Sequence, residues 1–441
     1  MLKESTELFT TSVQNHQQPL SGNSKLKKSS FFFALAVALG VSACTPKAGA
    51  LRSPVYKGNV GGATKEVDKG AATEHNNAVN TNAKNRKNLA RNISLVLPFQ
   101  LDQVTPKAIS DKDVKRAALA LDFYQGFQLG LEELAQKGGS YNLNVLDSRD
   151  NANYSASVAL SSEVGESGLV VGPVYPSEIK AFGAALEDKN TLQINPLAAT
   201  MPTEFNLPNL VSLTPPIVAH SNAIAAKVAR TFISGDIIIV YQTADNDSKQ
   251  FLTDMLATIK QHKNTVNIIT VSTLAQLNEK LSVTGSNIIV SGTTDKTQLN
   301  ALLTNLTKKY NESYYTIKLF GHPLWDRFDF SNYSNFSSFT PVISSESNVK
   351  NWTSAVKTFK QKYSGTFGIT ASDHAFKGYD AALYFGGLMN KYGVDKIKDK
   401  LTAEPYNGIF SNYKFTFNEK WGFSNEAVSF KEFRNGAFQL Q

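Results

Sequence analysis

The segment from Gly168 to Thr200 constrains the fold of this chain more than any other part. A short apolar run, Leu169–Val171, has the length and β-branched content of a strand buried in a parallel sheet. Gly172-Pro173 ends this strand, and a helix with one apolar face follows from Pro176. A second apolar run, 192–194, ends in an Asn-Pro turn that leads to Thr200. Both turns therefore lie at the carboxyl ends of strands, where ligands of open α/β sheets bind.

Two features of the sequence resemble the type I periplasmic binding proteins, which include the branched-chain amino-acid receptors. The first is the Gly-Pro turn, the helix and the sequence Asn195-Pro196-Leu197-Ala198-Ala199-Thr200, which has the form Asn/Ser-Pro-x-Ala-x-Thr. The second is Tyr379-Asp380-Ala381 in a C-terminal helix, which in the family returns the chain to the first lobe. The resemblance covers roughly 92–441 and implies an α/β fold of two Rossmann-like lobes with a central cleft.

Strand and helix patterns alternate on both sides of the opening segment, which indicates right-handed βαβ units on parallel sheets. Further strands are predicted at 93–97, 141–146, 237–241, 267–271, 287–290 and 316–320. The extended sequence Thr214-Pro215-Pro216 separates two α/β halves of similar size, and it predicts the first crossing between lobes. Ser331–Pro341, dense in Ser, Asn and Phe, predicts a second crossing. An alternating pattern after Pro405 predicts a hairpin, and the family resemblance implies a third crossing there.

The predicted division of the chain has a signal peptide, a tether and two discontinuous lobes. The signal peptide is 1–44, the disordered tether is 45–91, lobe 1 is 92–214 with 345–402, and lobe 2 is 215–344 with 403–441.

The N-terminal region resembles a bacterial lipoprotein signal. Three lysines at 25–28 precede an apolar run from Phe31, and Val41-Ser42-Ala43-Cys44 resembles a lipobox in which Cys44 becomes lipidated. The alternatives are a short membrane anchor and a buried thiol, but Phe31–Ala43 is shorter than the roughly 17–25 residues that span a bilayer. We therefore expect a lipoprotein of a bacterial cell envelope, anchored through Cys44 and facing the periplasm. As Cys44 is the sole cysteine, the chain forms no internal disulfide.

The formal charge of +8 is confined to the N-terminal arm. Residues 1–91 carry 13 Lys/Arg and 5 Asp/Glu, and the remainder carries 32 of each. A nucleic-acid surface on the folded part is therefore not expected. Residues 45–91 have too few apolar side chains to offset the entropy of ordering, which predicts the tether.

The sequence lacks the common motifs of catalysis and cofactor binding. The six histidines are dispersed, and no phosphate-binding or dinucleotide-binding glycine motif occurs. Asp245-x-Asp247 begins like a calcium loop, but Lys249 and Gln250 occupy the positions of a ligand and the obligatory glycine. We expect no enzyme, no metal and no cofactor, although a carboxylate pair assembled by folding stays open at this stage.

The predicted ligand contacts come from both lobes. From lobe 1 they are Phe99, Gln100, Tyr175, Ser177, Ala198 and Thr200. From lobe 2 they are Tyr241, Thr243, Asp245, Ser291, His322 and Trp325.

The resemblance implies that N–H groups at the helix start of Ser177 and at the turn Ala198–Thr200 hold a ligand carboxylate. Asp245 would bind an ammonium group, and an aromatic ring of lobe 2 would stack on an apolar or sugar part. Structural roles compete with these assignments: Asp245 as a turn former, Trp325 as a core residue and His322 as a local hydrogen-bonding group.

Two functions stay open from the sequence. The first is a solute receptor that binds an amino acid or small polar metabolite by lobe closure and delivers it to an ABC permease. The alternative is a ligand-free protein that regulates peptidoglycan synthases from the outer membrane, as some lipoproteins of this fold do. Tyr175 bears on the choice, because many amino-acid receptors have a Ser/Thr-rich turn where this bulky ring stands.

Overall fold

The computed structural model describes residues 91–312 and 315–441, together with the backbone of 51–52 and 56–57. The predicted signal peptide, Cys44 and most of the predicted tether lie outside these residues. None of the described helices is both long enough and apolar enough to cross a bilayer.

The described chain alternates strands and helices for most of its length. The strands are β1 (Leu51–Arg52), β2 (Tyr56–Lys57), β3 (Asn92–Leu97), β4 (Ser140–Asp147), β5 (Leu169–Val171), β6 (Leu192–Asn195), β7 (Leu210–Ser212), β8 (Ile237–Tyr241), β9 (Ile268–Val271), β10 (Ser286–Ser291), β11 (Thr316–Gly321), β12 (Val342–Ser345), β13 (Tyr406–Asn407), β14 (Asn412–Tyr413), β15 (Phe415–Asn418), β16 (Gly422–Asn425), β17 (Ser429–Arg434) and β18 (Ala437–Leu440).

The helices connect these strands. They are α1 (Asp111–Gln136), α2 (Ala152–Ala159), α3 (Ser162–Gly165), α4 (Pro176–Ala185), α5 (Pro202–Phe205), α6 (Ile217–Thr231), α7 (Asn246–Leu252), α8 (Met255–His262), α9 (Leu274–Lys280), α10 (Lys296–Glu312), α11 (Ser354–Phe367), α12 (Asp373–Tyr392) and α13 (Ile397–Lys400), with 3-10 turns at Leu101–Gln103, Pro323–Arg327, Phe336–Phe339 and Val394–Lys396.

Two sheets form two lobes whose five central strands have the same topology. The first sheet has the order β1-β4-β3-β5-β6-β7-β16-β15, with β2 also paired to β4, and the second has the order β18-β17-β12-β11-β10-β8-β9. In each lobe the first five parallel strands follow the order 2-1-3-4-5 of a doubly wound α/β sheet. The prediction of two Rossmann-like lobes is confirmed.

Continuous apolar strands explain why the sequence forms these sheets. All residues of β5 are buried, as are those of β10, because helices cover both faces of a parallel sheet. In the first lobe, α1 and α12 pack closely on one face. A Cβ atom on Gly126 would lie 1.9 Å from the carbonyl oxygen of Ala375, so only glycine permits this approach. This contact holds α12 in the first lobe, where the family resemblance placed it.

Within the described residues, the chain crosses between the lobes three times. The crossings lie between β7 and α6, between β12 and α11, and between β16 and β17. The side chain of Asn425, which is 1% exposed, joins two of them. Its amide nitrogen donates to Leu213 O and Asn412 O, both at 2.8 Å, and its oxygen accepts from the N–H groups of Lys414 and Ala427.

The second crossing lies later in the chain than Ser331–Pro341, the segment in which the sequence predicted it. Ser331–Pro341 stays in the second lobe, where Phe336 and Phe339 are buried in its core. The Phe330 and Phe336 rings stack with their centroids 4.1 Å apart. The aromatic side chains of this segment are therefore core residues, and the crossing follows β12.

The C-terminal segment is shared between the lobes, whereas the predicted boundary gave all of 403–441 to lobe 2. The hairpin β15–β16 extends the first sheet, since β16 pairs in parallel with β7. The next hairpin, β17–β18, extends the second sheet through antiparallel pairing with β12. Phe415 and Phe423 are buried in the first lobe and Phe433 in the second, so hydrophobic burial anchors each hairpin.

Candidate functional site

A cleft of about 730 Å³ lies between the lobes. Its lobe 1 wall includes residues 199–201 after β6 and the start of α12. Its lobe 2 wall includes residues 322–324 and 326–327 after β11 and the first turns of α6 and α7. The first two crossings contribute Thr214-Pro215 and 345–347 to the lining. The loops after β6, β11 and β12 leave the carboxyl ends of their strands, the edge at which ligands of α/β proteins bind.

The lobe 1 wall is shaped by a buried asparagine. The Asn195 side chain donates to Ala198 O at 2.8 Å and accepts from Ala198 N at 2.9 Å, which fixes the turn after β6. This turn places Thr200 in the lining of the cleft. The N–H of Ala198, predicted to hold a ligand carboxylate, already donates to Asn195. The Asn-Pro sequence indicated a turn, but it did not predict the two hydrogen bonds between the Asn195 side chain and the Ala198 backbone.

Two buried histidines line the lobe 2 side. His322 Nδ1 accepts from Leu324 N at 3.1 Å, so the neutral ring carries its proton on Nε2. His220 Nδ1 lies 2.9 Å from Ser344 Oγ. Burial lowers the pKa of each ring to about 4, although nearby carboxylates oppose the shift. Both rings are therefore neutral at pH 7. His322 was predicted at the site, whereas His220 was missed because its position depends on the first crossing.

Asp245 lies inside a hydrogen-bond network of the second lobe. Its carboxylate accepts from the hydroxyls of Thr243 and Thr293 at 2.7 and 2.8 Å and from Ser248 N at 2.9 Å. Burial would raise the pKa of Asp245, but these hydrogen bonds outweigh it and lower the pKa. The carboxylate caps α7 and holds the loop after β10, which is the turn-forming role that competed with ligand binding.

The remaining predicted residues of lobe 2 are largely internal. Trp325 is fully buried, and its Nε1 donates to Thr293 O at 2.8 Å. Tyr241 and Ser291 are buried at the ends of β8 and β10. Burial raises the pKa of the Tyr241 hydroxyl. These side chains lie outside the lining of the cleft, as do Thr243 and Asp245.

In lobe 1 the remaining predicted residues surround the carboxyl ends of β3 and β5. Phe99 is buried and contacts Tyr124 edge-on, and Gln100 N donates to Asp147 Oδ1 at 3.0 Å. Tyr175 is half-buried against the core, and Ser177 is exposed in the first turn of α4. None of these lines the cleft, so Thr200 and His322 are the predicted residues that the structure brings together there. Ligand contact by the others stays a prediction.

Charged residues of the cleft were not predicted from the sequence. Glu346 of the second crossing lines the cleft and pairs with Lys377 of α12 at 2.8 Å. Burial would raise the pKa of Glu346, but the Lys377 ammonium outweighs it and lowers the pKa. Asp326 and Lys431, both of lobe 2, pair at 2.6 Å. Within the described residues, no group of three or more His, Cys, Asp or Glu side chains is placed to hold a metal ion.

Comparison of the structure with solved structures identifies the fold. A candidate branched-chain amino acid ABC transporter protein from Rhodospirillum rubrum aligns with a TM-score of 0.57 and 14% identity, over 80% of this chain and 100% of that chain. An ABC transporter substrate-binding protein from Desulfitobacterium hafniense gives a TM-score of 0.51 and 14% identity, over 80% and 99%. The C-domain of LpoA from Haemophilus influenzae, described as a regulator of PBP1A, gives 0.49 and 13%, over 79% and 99%.

These similarities define the class of fold. No family model matches the sequence, and no curated protein matches it. The two structures with TM-scores above 0.5 establish the fold of the type I periplasmic binding proteins, as the sequence resemblance predicted. Both are described as proteins of ABC transporters.

Proposed function

We propose that this chain is an extracytoplasmic solute-binding protein that encloses a small polar ligand, such as an amino acid, between its lobes for an ABC-type importer. The observation that carries the proposal is the cleft of about 730 Å³, to which both lobes contribute polar side chains. This volume lies within the roughly 300–1,000 Å³ of small-molecule sites. A ligand that contacts both walls would stabilise the closed arrangement of the lobes.

The crossings suit such a movement. Three extended segments join the lobes, and the few residues between β7 and α6 or between β16 and β17 can absorb a rotation of the backbone. The Asn425 hydrogen bonds hold the first and third crossings to β14 and Lys414, so the segments would bend together.

Ligand binding is tested by thermal unfolding with a panel of amino acids, short peptides, sugars and small polar metabolites. A ligand that binds only the folded protein stabilises it by about 2.7 kcal/mol at 100 times its Kd. We expect at least one compound to raise the Tm. Ala199→Trp is the matched control, because Ala199 is exposed on the cleft wall and the indole would fill the site. This variant should keep the ligand-free Tm and lose the shift, and the absence of any shift with the wild type would refute the proposal.

The location is proposed from the N-terminal sequence. Cys44, in its lipobox-like context, would carry the lipid, and 45–91 would tether the folded part to the membrane. Cys44→Ser should therefore leave unprocessed precursor in a bacterial host. Normal maturation and membrane retention of this variant would refute lipid anchoring.

A second candidate function is regulation of a peptidoglycan synthase without a small ligand. One observation favours it: the half-buried Tyr175 ring packs on the first core at the turn where the family resemblance placed ligand contacts. A panel that gives no thermal shift, together with retention of the synthase on immobilised protein, would support this function instead of solute binding.

A further inference from the structure

The charges of the cleft indicate what kind of ligand it would hold, if the solute-binding function is accepted. The lining has five carboxylates, and two of them already have a cationic partner. Glu346 pairs with Lys377, and Asp326 pairs with Lys431. These two pairs are complete before any ligand arrives.

The other charged side chains of the lining have no opposite charge beside them in the described part of the chain. Glu204 and Asp373, both on lobe 1, and Arg327, on lobe 2, make no side-chain hydrogen bond or ion pair there. Asp247 accepts a hydrogen bond from the neutral Thr294 hydroxyl, and Lys360 donates to the amide oxygen of Asn351 at 2.7 Å. Among the described residues, three carboxylates and two cations of the lining therefore have no partner of opposite charge. The neutral rings of His220 and His322 add no charge.

Closure of the lobes would raise the free energy of these charges that lack an opposite charge. Charges that face an open cleft are solvated, but the approach of the opposite wall removes water from them. A ligand that supplies the opposite charges replaces that water, whereas a neutral ligand leaves the charges without a partner. Charge complementarity thus acts on the closed state, which is the state that a ligand must stabilise.

We propose that the ligand carries a net positive charge together with one anionic group, as a basic amino acid or a short basic peptide does. Its carboxylate binds the Arg327 guanidinium of lobe 2, and its ammonium groups bind Glu204 and Asp373 of lobe 1. Arginine suits this role because its planar fork matches a carboxylate. This orientation is opposite to the one implied by the family resemblance, which placed the ligand carboxylate on lobe 1. The Ala198 N–H, already bonded to Asn195, agrees with the change.

Three probes that differ by one charged group test the proposal by calorimetry on the mature protein. Lysine has every required group, norleucine lacks the side-chain ammonium, and cadaverine lacks the carboxylate. We expect lysine, or the dipeptide lysyl-lysine, to bind about tenfold to a hundredfold more tightly than the matched compound that lacks either group.

Variants then assign the charges to residues. Of Glu204→Gln and Asp373→Asn, the one that removes the partner of the side-chain ammonium should reduce the preference for lysine over norleucine, and the other should weaken both ligands alike. Arg327→Gln should reduce the preference for lysine over cadaverine. Asp102→Asn, an exposed change on lobe 1 outside the cleft, should alter neither preference.

The outcomes distinguish failure of the charge assignment from failure of the proposed solute-binding function. Tighter binding of norleucine, glutamate or a sugar would overturn the charge assignment and leave solute binding intact. Lysine binding that is unchanged in Glu204→Gln, Asp373→Asn and Arg327→Gln would overturn the assignment to these residues. No binding of any compound in the full panel would overturn both the inference and the solute-binding function.

Discussion

The Asn425 amide offers a direct test of how the crossings are held. Asn425→Asp keeps the size and shape of the side chain but replaces the donor nitrogen with an acceptor oxygen. Leu213 O and Asn412 O, each bonded at 2.8 Å, would then face a carboxylate instead of an N–H. A buried polar group that loses its partner costs about 1–3 kcal/mol, so the two carbonyls give an expected loss of about 2–6 kcal/mol.

The measurement is urea unfolding of the wild type and the variant at pH 7. We expect a lower midpoint with an unchanged m-value, because the surface exposed on unfolding is the same. The deficit should shrink towards pH 4, since a protonated carboxyl group can donate one of the lost hydrogen bonds. Asn418→Asp is the control: the Asn418 side chain only accepts, from Lys420 N, and it should change stability by less than about 0.5 kcal/mol. Equal midpoints for Asn425→Asp and the wild type would refute the assigned role.

Three further predictions concern packing, a buried carboxylate and pH. Asp380→Ala should lower the free energy of unfolding by about 3 kcal/mol or more in urea melts, because Asp380 accepts from three backbone N–H groups at 409–411; an unchanged midpoint would contradict this. Gly126→Ala should destabilise by about 1–3 kcal/mol through overlap with α12, whereas Gly387→Ala, which has open space around it, should be neutral or stabilising in the same assay. Burial lowers the pKa of His220 to about 4, so as pH falls the unfolded chain takes up a proton on this ring before the folded protein does. The free energy of unfolding should therefore decrease by roughly 3 kcal/mol between pH 6.5 and pH 4. His220→Gln should flatten that part of the profile of stability against pH, and an unaltered profile would exclude His220 as the cause.

Most strands could be predicted from the sequence because strands of a buried parallel sheet are continuous apolar runs. Six predicted strands, from 93–97 to 316–320, match the structure to within one residue at either end. The path of the chain between lobes was harder to predict, because it depends on pairing between distant strands. Nothing local in 415–425 reveals that β16 would pair with β7, some two hundred residues earlier in the chain.

The candidate site was predicted only where it follows directly from strand ends. Thr200 and His322 come shortly after β6 and β11, so the edge rule for α/β sheets located them. Glu346 belongs to the second crossing and His220 to the first turn of α6, directly after the first crossing, so their approach to the cleft depends on how the lobes face each other. Trp325 illustrates the opposite case: a large aromatic residue near a strand end suggested stacking, but burial in the lobe core satisfies both its ring and its N–H.

The repeated crossing of the chain also affects the order in which the protein can be built. β3 and β16 belong to one sheet, yet more than 300 residues separate them, and β17 and β18 join the other sheet only after β16. During synthesis from the N-terminus, neither lobe has its full set of strands until its C-terminal hairpin, β15–β16 or β17–β18, has left the ribosome. The nascent protein therefore exposes two unfinished sheet edges until the hairpins β15–β16 and β17–β18 are made.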